Sequence, residues 1–191
     1  MNNKVKKPRI EIVGDLETWG KDGDTALIQI AAVAFDIDTG EYLSEFNELC
    51  DISKSKILVD GSTLKWWLNT DKELLTRLVN SGKDDEETVV RHFYDWIVAL
   101  KSEYEVYFWG NGILFDNKII QAKMAQYGLQ YPIFYRNDRD LRTIVDIAES
   151  KFGVNVHEVC ASPDQEKHNA IDDVKHEIDV LCWCWKALHA E

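Results

Sequence analysis

Nine residues, 27–35, form an almost uninterrupted apolar run, and this run constrains the fold more than any other part of the sequence. Only Gln29 interrupts it, and the turn-forming residues 36–40 follow directly. Such a run is typical of a strand that is covered on both faces, because a strand with one solvated face alternates apolar and polar residues. The sequence therefore predicts a sheet with helices packed on its faces.

Three further segments are predicted strands. Residues 9–15 and 41–49 flank the apolar run, and residues 105–109 follow much later in the chain. Because a cluster of turn residues joins the second and third strands, these two are expected to form an antiparallel hairpin.

Helical periodicity is clearest in the last segment, where apolar residues from Ile171 to Leu188 recur at alternating spacings of three and four. Five other helices are predicted earlier in the chain. One is capped by Ser62 and buries Leu64, Trp67 and Leu68, and the next begins at Asp71. The remaining three cover residues 88–101, 114–127 and 141–152, and the last two of these end at Gly128 and Gly153. Strands that alternate with helices indicate an α/β fold with a mixed sheet, in a single domain over residues 1–191.

The composition excludes several classes of protein. Lys and Arg total 22 against 34 Asp and Glu, and the formal net charge of −12 argues against a broad phosphate-binding surface. The basic residues 1–9 lead into too few apolar residues for a secretory signal, and the longest stretch without a charge, residues 25–35, is too short for a membrane helix. No two cysteines have the Cys-x-x-Cys spacing, so free thiols are expected. We therefore expect a cytoplasmic protein without a membrane span.

Asp15 and Glu17 are the first candidate metal ligands. They lie two positions apart at the end of the first predicted strand, so both side chains point to the same side of the sheet. Carboxylates in this arrangement suit Mg²⁺ or Mn²⁺, which prefer oxygen ligands. The alternative is a pair of solvated acids at a strand end.

A further acid, Asp116, comes directly after the fourth predicted strand. Asn111 and Gly112 suit a tight turn, so Asp116 falls in the first turn of the next helix and faces the strand ends. The alternative is an acid that only interacts favourably with the helix dipole.

His168 and Asp173 lie where the polar loop 161–167 meets the last helix. Asp173 adjoins the core-facing Val174, so it lies at the edge of the buried stripe and can point toward the strand ends. His168 precedes the helix, where a histidine beside bound metals suits a general base that removes a proton from water. The alternative is a surface histidine without a role.

In this order, the three segments resemble the signatures of the DEDDh exonucleases. The matching motifs are Asp-x-Glu at Asp15 and Glu17, Asn-x-x-x-Phe-Asp from Asn111 to Asp116, and a histidine followed five positions later by an aspartate at His168 and Asp173. The tryptophan pair in Ser-Thr-Leu-Lys-Trp-Trp-Leu also looks like a subgroup of phages, prophages and bacteria that is labelled exonuclease VIII-like or 3′–5′ exoribonuclease. The resemblance implies a ribonuclease H-like fold with a mixed five-stranded sheet flanked by helices.

The resemblance also implies a mechanism. Asp15, Glu17, Asp116 and Asp173 would hold two Mg²⁺ or Mn²⁺ ions about 3.5–4 Å apart on the terminal phosphodiester, and His168 would deprotonate the attacking water. The substrate would be the 3′ end of single-stranded DNA or RNA, and the products nucleoside 5′-monophosphates. Candidate contacts with the terminal nucleotide are the main chain near Leu16 and Thr18, the ring of Trp19, which could stack on a base, and the second-motif residues Asn111 and Phe115.

Two surface features have more than one interpretation. Adjacent helix positions differ by about 100°, so Trp67 is expected inside and Trp66 at the surface. Trp66 then suits a subunit contact or a substrate platform, and the resemblance to dimeric nucleases favours a homodimer. A basic cluster could guide the strand or form a solvated face; its members are Arg136, Arg139 and Arg142.

Two other functions stay open at this point. One is an oligoribonuclease-like enzyme restricted to very short RNA, and the other is a catalytically silent nucleic-acid-binding module of the same fold. DNA and RNA are not distinguished, because the choice depends on a contact to the 2′-hydroxyl that no motif identifies. The negative charge predicts a small footprint on the substrate, with little affinity for long duplexes.

Overall fold

The computed structural model describes residues 6–54, 57–163 and 165–190. The first five of the basic N-terminal residues and one position of the predicted loop 161–167 lie outside the described residues. Among the described helices, none combines the length and the apolar character that crossing a membrane requires.

Five strands form one mixed sheet, which confirms the predicted fold class. The strands are β1 (Arg9–Thr18), β2 (Leu27–Phe35), β3 (Tyr42–Leu49), β4 (Glu105–Gly110) and β5 (Asp138–Asp140), in the spatial order β3-β2-β1-β4-β5. β1 pairs antiparallel with β2 and parallel with β4, β2 pairs antiparallel with β3, and β4 pairs parallel with β5. The predicted hairpin is therefore confirmed, and β1 lies at the centre of the sheet.

Helices connect and cover these strands. They are α1 (Gly61–Thr70), α2 (Lys72–Ser81), α3 (Glu86–Glu103), α4 (Asp116–Gln126), α5 (Leu141–Phe152), α6 (Val156–Val159) and α7 (Ala170–His189). α5 has the predicted limits and ends at Gly153, whose φ of +66° is the left-handed conformation that glycine adopts readily. α6 was not predicted, because four residues are too few to show a period.

The sheet lies between two helical layers, because its strands present apolar side chains to both faces. β2 is buried at all nine positions. On one face Ile12 packs with Phe93 of α3, and on the other Val13 packs with Val174 of α7. α7 runs across β1 and β2, and the start of α4 follows the end of β4, so both helices bring their first turns toward the C-terminal half of β1.

β1 extends three residues beyond the predicted end. The charged residues suggested a strand end, yet pairing with β2 continues through Asp15 opposite Ala31 and Glu17 opposite Gln29. The two acids therefore lie within a central strand, whose hydrogen-bonded backbone fixes the position of both.

Two details of α1 differ from the prediction. Asp60, rather than Ser62, caps the helix, and its carboxylate accepts the Ser62 N–H. Trp67 is buried as predicted, but Leu64 and Leu68 are 36% and 54% exposed, so the prediction that they join it inside is wrong. The short helix covers the end of the sheet with one indole rather than with a stripe of leucines.

Candidate active site

Three carboxylates converge where β1 meets the first turn of α7. Asp15 and Glu17 point to the same side of β1, and Asp173 comes from α7. One oxygen from each of the three carboxylates lies within 4.8 Å of the others. Like charges this close repel each other unless a cation or a proton neutralises part of the charge.

Asp116 is the first residue of α4 and is only 3% exposed. α4 begins two residues later than predicted, because Phe115 N–H donates to Gly112 O (2.7 Å) in a turn that precedes the helix. The backbone N–H groups of Leu16 and of Asp116 itself lie near this carboxylate and lower its pKa. Its Oδ1 atom is buried without a partner among the described residues.

Burial and mutual repulsion raise the pKa of the acids in this site. Burial is the largest cause for Asp15, whose pKa lies well above its ordinary value, and Asp116 adds the next largest effect. The pKa of Glu17 is also raised well above its ordinary value by burial, then by Asp173. Burial raises the pKa of Asp116 to about 7, against the opposing effects of its backbone hydrogen bonds and of Arg142.

The site fits a divalent cation. The donors are carboxylate oxygens, which Mg²⁺ and Mn²⁺ prefer. No donor from the described part of the chain reaches the buried Asp116 Oδ1, and a buried acceptor without a partner costs free energy that a bound cation would offset. Burial also raises the pKa of Asp173, so a cation at this point would favour the ionised form of each acid.

Glu177 is a fifth acid of this site that the sequence analysis missed. It lies on α7 one turn after Asp173 and is 4% exposed. The Asn111 side chain lies near its carboxylate and lowers its pKa, while Oε2 has no partner among the described residues. Burial, and then the nearby Asp116, raise its pKa to about 8. The signal that could have found it is its position four residues after Asp173, which places both side chains on one helix face.

His168 lies at the edge of the acid site and is held at two points. Its backbone N–H donates to Asp173 Oδ2 (2.9 Å), and its φ of +66° is left-handed, which is uncommon for a residue other than glycine. The imidazole meets the Trp66 ring edge to face, with the ring centroids 5.0 Å apart. Trp66 remains 44% exposed, as predicted, and supports the histidine on one side.

The residues predicted to contact the terminal nucleotide have different surroundings. Trp19 is only 5% exposed and packs in the core with Trp67, so the prediction that its ring stacks on a base is wrong. Thr18 O accepts a hydrogen bond from Trp67 Nε1 (3.2 Å). Leu16 is buried, and its backbone N–H lies near the Asp116 carboxylate and lowers the pKa of that acid.

The remaining predicted contacts lie in the turn before α4. Asn111 lies between two groups, because its Oδ1 accepts from Arg142 Nε (3.3 Å) and its side chain lies near the Glu177 carboxylate, whose pKa it lowers. Phe115 is half-buried and packs against the main core. Of the predicted basic cluster, Arg142 lowers the pKa of Asp116, whereas the Arg139 guanidinium lies over the Tyr107 ring (4.8 Å) and donates to Arg136 O (2.6 Å).

Comparison with known proteins identifies the family. The model of the family described as the 3′-5′ exoribonuclease Rv2179c-like domain matches residues 11–185, a range that contains the five acids and His168. The chain belongs to this family. It is a 3′–5′ exonuclease of the DEDDh type, as the sequence motifs predicted.

Similar proteins support the same family and fold. The exodeoxyribonuclease of Enterobacteria phage T4 is 26% identical over 163 residues, which cover 71% of this chain and 70% of that protein. The nuclease domain of 3′hExo, described as a DEDDh family member bound to rAMP, has a TM-score of 0.64 at 16% identity and covers 94% of this chain and 92% of its own.

Some structural relatives are larger than this chain. The cell-death related nuclease CRN-4 has a TM-score of 0.67 at 19% identity over 93% of this chain, but this match covers only 64% of CRN-4. Exonuclease I has a TM-score of 0.63 at 16% identity over 91% of this chain, and the match covers 42% of that enzyme. At these identities the two structures support the ribonuclease H-like fold, and the homodimer and the cytoplasmic location stay predictions.

Proposed function

We propose that this exonuclease depends on divalent cations and shortens single-stranded DNA or RNA from the 3′ end, releasing nucleoside 5′-monophosphates. One observation carries the proposal: carboxylate oxygens of Asp15, Glu17 and Asp173 meet within 4.8 Å beside the buried, unpartnered Oδ1 of Asp116. A catalytically silent module would have no need to maintain this repulsive arrangement.

Four acids would hold the metal, namely Asp15, Glu17, Asp116 and Asp173, and we propose two Mg²⁺ or Mn²⁺ ions. Bound there, such ions supply Lewis-acid stabilisation of the charge that develops on the phosphodiester oxygens. The protein contributes rigidity, since two acids come from a central strand and two from the first turns of helices. Asp116 is buried and Asp15 is half-buried, so bulk water screens the charges only in part.

His168 acts as the general base in this proposal. Its ring lies beside the acids yet outside the cluster, because the backbone N–H, not the imidazole, binds Asp173. The edge-to-face contact with Trp66 restricts the imidazole without blocking its nitrogens by a hydrogen bond. The ring can therefore accept a proton from a water molecule at the edge of the acid site.

The descriptions of the similar proteins name both RNA and DNA. The matching family is described as exoribonuclease, the phage relative as exodeoxyribonuclease, and one exonuclease I structure as a complex with single-stranded DNA. We therefore propose single-stranded ends as the substrate class, and a comparison of matched DNA and RNA strands determines the sugar preference.

The proposal predicts Mg²⁺- or Mn²⁺-dependent shortening of a 5′-labelled single strand in one-nucleotide steps. Matched DNA and RNA strands, each offered at short and long lengths, give the sugar preference and show whether cleavage is restricted to very short RNA. Asp173→Ala should abolish the ladder while circular dichroism shows an intact fold. Ladders of equal intensity from the variant and the wild-type protein would refute the proposed site, and an inactive wild-type protein would refute the function.

Replacing His168 should reduce turnover much more than metal binding. General bases contribute about 10²–10⁴-fold to rate, so we expect kcat of His168→Ala to fall by about 100-fold or more. Mn²⁺ affinity, measured by calorimetry, should change little because the imidazole does not bind the acids. His168→Asn is the matched variant, since asparagine tolerates a positive φ better than alanine. An equal loss of turnover and metal affinity in both variants would contradict the role as a base.

A further inference from the structure

A polar groove of about 420 Å³ adjoins the acid site. One wall is α6 and its N-cap, and the other is the loop before α7 with the first two turns of that helix. His168 and Asp173 line the groove as well as the acid site, so the two are continuous. The volume lies within the range of about 300–1,000 Å³ that is typical of ligand pockets.

The acids that line the groove are already paired within the protein. The Glu158 carboxylate accepts a hydrogen bond from Asn155 Nδ2 (3.1 Å). The Asp173 carboxylate accepts one from Gln165 Nε2 (3.1 Å) and one from the His168 N–H. These hydrogen bonds partly offset the negative charge that an approaching phosphate would meet.

Three other side chains that line the groove carry nitrogen groups able to donate hydrogen bonds, namely Lys167, His157 and His176. Lys167 is exposed, and its ammonium carries a full positive charge. His157 and His176 face each other, with His157 Nδ1 3.2 Å from His176 Nε2. This contact leaves Nε2 of the exposed His157 for another partner, and His176 Nδ1 is buried without a partner among the described residues.

The same lining argues against a nucleoside pocket. Among the described residues that line the groove there is no Phe, Tyr or Trp, and the rings of its histidines are smaller than the platforms on which bases commonly stack. An ammonium instead matches the charge of a phosphodiester, and imidazole N–H groups match its hydrogen-bonding needs. The groove therefore suits the backbone of a strand rather than the terminal nucleotide itself.

We propose that this groove binds a phosphodiester of the substrate strand on the 5′ side of the bond that is cut. The proposal rests on the exonuclease function proposed above. It assigns Lys167 and His157 to substrate binding, away from the reacting atoms, and it gives an acidic chain a local positive contact for the retained strand.

Two substrates separate this groove from the reaction centre. One is a 5′-labelled single-stranded decanucleotide of the preferred sugar, and the other is the p-nitrophenyl ester of the matching nucleoside 5′-monophosphate, in which nitrophenol replaces the 5′ strand. Lys167→Ala, His157→Ala and the double variant are compared with the wild-type protein. Lys151→Ala is the matched control, because Lys151 is an exposed lysine on α5 that is not among the residues lining the groove.

We expect the double variant to raise KM for the decanucleotide by about fivefold, with kcat and the KM for the ester unchanged. Loss of one phosphate contact should also reduce the slope of log KM against log salt by about 0.7. An unchanged KM for the decanucleotide would overturn the proposal, as would an equal rise for both substrates, which would assign the groove to the terminal nucleotide.

Binding without turnover provides a measurement that does not depend on the reaction. Fluorescence anisotropy of the labelled decanucleotide in EDTA should show about fivefold weaker affinity in the double variant, and no change in Lys151→Ala. Equal affinities of the double variant and the wild-type protein would overturn the groove assignment. If the wild-type protein turns over neither substrate, the exonuclease proposal fails, and the groove assignment that rests on it fails with it.

Discussion

Asp15→Asn is expected to abolish exonuclease activity and to make the metal-free protein more stable. Bound metals contribute several kcal/mol of transition-state stabilisation, and each ~1.4 kcal/mol changes the rate tenfold. We therefore expect turnover to fall by about 10³-fold. Asparagine keeps the size of the side chain but removes the negative charge that the cation requires.

The gain in stability has a separate physical cause. Burial raises the pKa of Asp15 well above its ordinary value, and Asp116, Glu177, Glu17 and Asp173 all raise it further. A carboxylate among other carboxylates in a site shielded from water is unfavourable, whereas the amide that the substitution introduces carries no charge and can donate to those neighbours. Relief of such active-site strain commonly adds about 0.5–2 kcal/mol to the free energy of unfolding.

Thermal melts in EDTA measure the effect on stability. For a chain of this size, 1 kcal/mol shifts Tm by about 2–4 °C, so Asp15→Asn should melt about 1–8 °C above the wild-type protein. Adding Mn²⁺ should raise Tm of the wild-type protein more than that of the variant. Asp146→Asn is the matched control, because Asp146 is an exposed acid on α5, and it should change neither activity nor Tm. An active Asp15→Asn, or one that is less stable than the wild-type protein, would contradict our account.

Much of the site could be predicted from the sequence, because its acids lie near the ends of regular elements. The period of two along a strand aligned Asp15 with Glu17, and the start of a helix oriented Asp116 and Asp173. Glu177 could not be predicted in this way. It lies inside a periodic helix, and its environment depends on Asp116 and Asn111, neighbours that only the folded chain brings close.

The elements of the fold also divide into those that the local sequence predicts and those that depend on contacts in the folded chain. The apolar run of β2 and the three-four period of α7 determine their own structures, because burial requires those patterns. β5 has the sequence Asp-Arg-Asp and is a strand only because it pairs with β4. Trp19 illustrates the opposite error, since an aromatic residue next to a motif was interpreted as a base-stacking ring, whereas the ring fills the core beneath α1 and α2.

The net charge of −12 gains a structural meaning from the site. Five acids are concentrated at one point, where a cation rather than a basic surface is the expected partner of the substrate phosphate. Substrate binding then depends on the metal and on a few local donors, which agrees with the small footprint that the composition predicted.

The stability of the metal-free protein is expected to fall as the pH rises from about 5 to 8. Burial raises the pKa of Asp116 to about 7 and that of Glu177 to about 8, while both acids ionise near their ordinary values of 3.8 and 4.5 in the unfolded chain. Between these limits the folded state keeps protons that the unfolded state has lost. Since the folded state binds more protons, each step to higher pH favours unfolding, by about 6 kcal/mol for the two acids together over the whole window.

Divalent cations should reverse this trend, because they bind the ionised carboxylates and compete with protons. Melts at pH 5, 6, 7 and 8 should therefore show a falling Tm in EDTA and an increase on adding Mg²⁺ that grows with pH. At a free concentration about 100 times the dissociation constant, the cation should add about 2.7 kcal/mol. Glu177→Gln removes one of the two titrating acids, so it should flatten the EDTA curve. A Tm in EDTA that rises steadily from pH 5 to 8 would show that the acids are not held protonated by the fold, and the electrostatic description of the site would be wrong.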